Sequence, residues 1–163
     1  MIKNFILFLI LPMIYAQSAQ AASASGTGTI SARVISAVTV DENRSLNFGS
    51  MTGDAGVVTV TTAGARSSTS SNLVTDGSNP PTSGELVIYG PVNQVVYLSN
   101  IADTTLTSGG SSMSVTNFQT DKTGSITLTS DDGSLVHVGA QLTVGNNQAE
   151  GDYTGTYNMI VTY

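Results

Sequence analysis

The chain has 163 residues, 40% apolar and 10% charged, with no Cys, no Trp and one His. These counts exclude disulfide scaffolds, thiol nucleophiles, zinc ribbons and His-cluster metal centres, and the length is that of one domain with a tail. Five Lys and Arg against eleven Asp and Glu give a net charge of -6 and a pI near 4.3, so phosphate backbones and anionic lipid surfaces are repelled and nucleic acid is a poor partner.

Residues 1–21 read as a signal peptide. Lys3 lies in a short n-region, an apolar run extends from Phe5 to Tyr15, and Ala19-Gln20-Ala21 forms an A-x-A site with cleavage expected before Ala22. The run falls short of the roughly 20 residues a spanning helix needs. No second apolar run follows, so no integral membrane span is expected. Loss of Lys3 leaves four cations against eleven acids, a mature charge of -7. The expected route is export, through the periplasm in transit, to the cell surface or a fimbrium. A Cys-free exported domain is held by packing and hydrogen bonds alone.

Residues 22–40 form an N-terminal arm, and residues 41–163 form the domain. Within Gly26–Val34, Ile30, Ala32 and Val34 occupy alternate positions, and the arm runs through Ile35–Val40 toward Leu46-Asn47-Phe48-Gly49. Period-2 alternation then predicts a strand at Gly56–Thr62. Ala63–Ser83, rich in Ser, Thr and Gly, predicts a long exposed loop around a short Asn72–Thr75 strand. Glu85–Tyr89 and Gln94–Ser99 are apolar on both faces and, joined by Gly90-Pro91-Val92-Asn93, predict a central hairpin. Thr104–Thr107 and Ser112–Asn117 follow. Ser125–Thr129 and the long run from Gly133 to Gly145 predict an antiparallel pair turned by Asp131-Asp132-Gly133. The last strand is Tyr153–Tyr163. Short strands separated by turns, with no convincing helical period, predict an all-β, immunoglobulin-like sandwich.

The two ends suggest that this sandwich is incomplete. Tyr153, Gly155, Tyr157, Met159, Val161 and Tyr163 share one face of the last strand, and that strand would leave an uncovered edge beside the core, a hazard that folds must manage. Ile30, Ala32 and Val34 are suited to fill such an edge on a neighbouring molecule. Burial would be worth about 1.5–3 kcal/mol each for Ile30 and Val34, with a row of main-chain hydrogen bonds setting the register. The same segment is equally suited to fold back and close its own sandwich; periodicity does not separate the two.

Leu46, Phe48 and Gly49, then Leu86, Ile88, Gly90 and Pro91, then Gly151, Tyr153, Gly155, Tyr157, Val161 and Tyr163 form a pattern that resembles a family of small exported Gram-negative β-domains of unassigned function. More widely, the chain is similar to chaperone–usher pilins, including the archaic, spore-coat-U-like subunits. The resemblance covers most of the mature chain, departing in its lack of a disulfide and in Met159. It implies a subunit of a fimbria or surface polymer, a homo-polymer of like subunits built by donor-strand complementation. A periplasmic chaperone first lends a strand, and an outer-membrane usher then directs its replacement. On that resemblance the donor face is Ile30, Ala32 and Val34, and the chaperone or subunit interface is Tyr153, Tyr157, Met159, Val161 and Tyr163.

Other chemistry is thinly represented. His137 lies on the outward face of its strand without a G-x-S-x-G elbow to supply a nucleophile, so no catalytic role is expected. Asp131 and Asp132 are explained by their turn, and no D-x-[DN]-x-[DN]-G loop marks a calcium site. Phosphate-cradling glycine motifs are absent. The expectation is no enzyme, no metal and no cofactor. A second reading is a self-complemented secreted or surface domain that binds a glycan or protein ligand, with the Ala63–Ser83 loop as its best-placed surface.

Overall fold

The computed structural model describes residues 22–34, 36–75, 77, 79–130 and 132–163. The expected signal peptide, 1–21, and Asp131 of the expected turn lie outside the described residues. The chain divides after Val34 into two units. In the described part of the first, residues 22–34, no residue is in a strand and every one is exposed.

The second unit contains ten strands: β1 (Thr39–Arg44), β2 (Gly56–Val60), β3 (Arg66–Ser68), β4 (Gly84–Tyr89), β5 (Val95–Leu98), β6 (Thr104–Ser108), β7 (Ser111–Thr120), β8 (Ser125–Thr127), β9 (Ser134–Val144) and β10 (Val161–Thr162). The described residues contain no helix. One sheet has seven strands, with β1-β4-β9-β2-β3 in path order and β7 joining β9 to β6, and a three-stranded sheet runs β10-β5-β8. All pairs are antiparallel, and the sheets are not closed into a barrel. The fold is an all-β sandwich.

The long strand β9 organises the core because its alternation is unbroken. Val136, Val138, Ala140, Leu142 and Val144 all point inward and are buried. Its first half pairs with β4, from Ile88↔Ser134 to Gly84↔Val138, and its second half pairs with β2, from Val60↔Ala140 to Gly56↔Val144. Two apolar clusters follow. Val58, Val60, Met113, Val115 and Leu142 pack with Phe48 and Leu73 in one. Ile88, Val96, Leu128 and Val136 form the other.

Three expectations are corrected by these pairings. β4 and β5 do not form a hairpin: β4 lies between β1 and β9, while β5 pairs with β8 and β10. The turn at 90–93, with Asn93 at φ 67°, carries the chain from one sheet to the other, so that Ile88 and Val96 meet across the core. Likewise β8 pairs with β5 and not with β9. The turn at Gly133 (φ 91°) again changes sheets, and Leu128 packs against Val136 instead of lying beside its strand. The loop at 63–83 is also more structured than its composition suggests. β3 pairs with β2, Leu73 is fully buried, and the expected Asn72–Thr75 strand is reduced to a single Met51↔Val74 bridge.

Two boundaries also shift. β7 runs to Thr120 because Asn117, at φ 57°, absorbs a bulge between Thr116 and Gln119 and the ladder resumes beyond it. At the C-terminal end the extended run is paired only at its two ends, by a Thr107↔Thr154 bridge to β6 and by β10 to β5.

Candidate functional site

An open groove of about 890 Å³ lies in the domain. One wall is built from Val40 and Glu42 of β1 with the following segment 45–51, and the other from residues 151–159. Its floor includes Leu86, Leu106, Met113, Val115, Phe118 and Leu142. β1 ends the strand path and among the described residues has β4 as its only strand partner, so its second edge carries main-chain donors and acceptors without a ladder.

The opposite wall is similarly unfinished. Thr154 exchanges two main-chain hydrogen bonds with Thr107 (2.9 and 3.1 Å), Thr156 O accepts from Thr104 Oγ1 (2.9 Å), and Ile160 bonds Ser99. Between these anchors, among the described residues, Tyr157, Asn158 and Met159 make no main-chain hydrogen bond. The open edge of β1 and the unbonded main chain of residues 157–159 therefore line the same groove.

The expected interface residues gather here in part. Tyr153, Tyr157 and Met159 line the groove, Tyr153 packing against the first apolar cluster and Met159 against the second, where Val161 is also half-buried. Tyr163 is exposed and stands apart from that face. Tyr153 Oη donates to Ala149 O and accepts from Gln148 Nε2, both at 2.8 Å. Tyr157 stacks in a tilted arrangement on Phe118, with ring centroids 5.5 Å apart. Its buried hydroxyl has no hydrogen-bond partner, and burial, with the charge of Glu42, pushes its pKa up to about 12. Removing an unsatisfied buried hydroxyl relieves a desolvation cost of about 1–3 kcal/mol. Tyr157→Phe is therefore expected to raise the unfolding midpoint in urea, and a lower midpoint would show that this oxygen has a partner.

A polar cluster stands on the outer face, where sequence reasoning placed His137 as an ordinary solvent-facing residue. The ring is only about one-third exposed: Nδ1 lies 2.9 Å from Asp121 Oδ2 and Nε2 lies 3.2 Å from Glu85 Oε2. Glu85 also pairs with Arg44 at 3.3 Å and accepts from Asn43, while Arg44 donates to Ser83 O and Oγ at 3.0 Å. Both imidazole nitrogens are thus occupied by carboxylates, which leaves neither for a serine hydroxyl. The cluster fastens β1, β4, β9 and the β7–β8 connection to one another. A clue was available in Glu85, the single acid of the otherwise apolar strand Gly84–Tyr89, since a buried carboxylate requires partners.

Burial raises the Asp121 pKa, but hydrogen bonds from the His137 side chain and main chain, with the charges of His137 and Lys122, outweigh it and hold the group below its usual 3.8. A depressed carboxylate stabilises the fold above its unfolded value, and that contribution is lost as pH falls through the folded value. The stability gap between the parent chain and Asp121→Asn should therefore be widest above the usual carboxylate range and narrow as pH falls through and below it. A gap independent of pH in denaturant titrations would contradict this.

Among the described residues no group of His, Asp and Glu is arranged to hold a metal, and no helix is long and apolar enough to cross a membrane. No curated protein and no solved structure matches the chain. The model of the family described as a domain of unknown function, DUF4402, matches residues 38–163, and the chain belongs to that family.

Proposed function

We propose that the chain is a structural subunit of a fimbria or other surface polymer, in which the arm of one copy completes the sandwich of the next. The observation that carries this reading is the apolar-floored groove between the second edge of β1, which has no strand partner among the described residues, and residues 157–159, which make no main-chain hydrogen bond. The proposed occupant is Ile30, Ala32 and Val34 of a second copy. Nine residues of groove wall extend for about 30 Å and the thirteen residues of 22–34 reach about 43 Å, so the arm is long enough. Arg33, the arm's one charged residue, alternates with Ile30, Ala32 and Val34 and so stays on the face turned away from the groove.

On this reading a periplasmic chaperone holds the groove with a strand of its own before an usher exchanges it, and Tyr153, Tyr157, Met159 and Val161 form the wall that both strands meet. The test uses material sheared from the cell surface and run on a denaturing gel with and without boiling. Unzipping a whole buried strand has a high kinetic barrier, so a ladder that collapses on boiling to one band of mature mass is expected. A single mature-sized band in both lanes, from a protein folded without a chaperone, would favour the self-complemented domain instead.

A further inference from the structure

The outer face of the three-stranded sheet carries an apolar patch that neither the groove nor the core explains. Tyr97 of β5 is 59% exposed, Val95 is 40% exposed and Ile160, just before β10, is 64% exposed. Their inward neighbours Val96, Leu98 and Val161 pack into the second cluster, so the alternation that buries those residues forces these three outward. Register places Tyr97 directly between Thr162 on β10 and Ser125 on β8, and Val95 opposite Thr127.

We infer that this face, with Tyr97 at its centre and Val95, Ile160, Ser125, Thr127 and Thr162 around it, is a binding platform for a neutral glycan. A sugar ring presents an apolar C–H face bordered by hydroxyls, and the platform mirrors that division: an aromatic ring with an apolar flank, edged by side-chain hydroxyls that can donate or accept. None of the six residues is charged, and the net charge of -6 disfavours acidic polysaccharides. Tyr97 also costs little to order on binding, because a tyrosine on a strand has few rotamers to lose. The site lies apart from the groove and holds whether the chain polymerises or closes on itself. It also places glycan recognition on the β5 face and not on the Ala63–Ser83 loop.

The test passes the mature chain recovered from the cell surface over cross-linked dextran, amylose and agarose, and over an array of neutral oligosaccharides, in about 0.5 M salt to screen charge. Retention is expected on at least one neutral glycan, with elution by the free sugar. Tyr97→Ala should weaken it by about tenfold or more, Ile160→Ser should weaken it less, and Tyr97→Phe should keep most of it. Because both positions are exposed, unchanged unfolding midpoints verify that the variants fold. No retention on any neutral glycan, or retention unaffected by Tyr97→Ala, would overturn the proposal. So would a dimer that Tyr97→Ala abolishes, since the patch would then join two copies.

Discussion

Changing Ile30 and Val34 together to Asp is expected to abolish the boiling-sensitive ladder while leaving the folded domain intact. Both side chains are essentially fully exposed, at 100% and 96%, so nothing in their own unit depends on them. In the groove of a neighbour they would bury about 1.5–3 kcal/mol each. The Asp replacements forfeit that and oblige two carboxylates to enter a trough floored by Leu86, Met113, Val115 and Phe118, where a charge without a partner is far costlier still. Ser31→Asp is the matched control, since its side chain lies on the opposite face of an extended arm and would project to solvent. The ladder should survive that change. Loss of the ladder in both variants would mean that the arm acts through its charge; persistence in both would mean that the groove takes some other strand.

The parts of this fold that were legible share one property, a strand with one face on the core. β9, β6 and the first half of β7 announce themselves by alternation because a slip of one residue would expose every inward side chain. Strand partners were less legible. The turns at 90–93 and at Gly133 are built from residues that reverse a chain equally well within a sheet or between two sheets, and only the packing of Ile88 against Val96 and of Leu128 against Val136 decides. Composition concealed β3, since Arg66–Ser68 has no apolar residue to mark it, and Leu73 was the one signal of burial in a stretch of small polar residues. The groove was anticipated from its C-terminal wall alone. Its other wall, Val40 and Glu42 with 45–51, and its Phe118 and Met113 floor come from segments distant in sequence. No spacing rule joins such segments before the chain folds.

A large effect on stability from adding one methyl group is expected at Gly139, where β4 and β2 meet on β9. A Cβ there would lie 2.5 Å from Val60 O, 2.7 Å from Thr61 C and 2.8 Å from Thr62 N. All three atoms are main chain, so no flexible side chain can move aside and the end of β2 must shift. That shift acts on the Val60↔Ala140 and Thr59↔Gln141 pairs and on Val58 and Val60, both essentially without exposure. Replacing Gly by Ala also lowers the entropy of the unfolded chain, a gain of about 0.4–1 kcal/mol, but overpacking of this kind costs about 1–3 kcal/mol before any lost pairing is added. The clash therefore wins. Gly139→Ala should lower the melting temperature of the purified protein by about 4–10 °C for a domain of this size. Gly145→Ala supplies the contrast on the same stretch of chain, because its Cβ would meet only the terminal Oε1 of Gln148, at 3.0 Å, the far end of a side chain that need give by only a few tenths of an ångström. A melt for Gly139→Ala no lower than that of Gly145→Ala would mean that β2 does not pass over β9 at this point, and the junction that lets one strand serve both halves of the core would have to be redrawn.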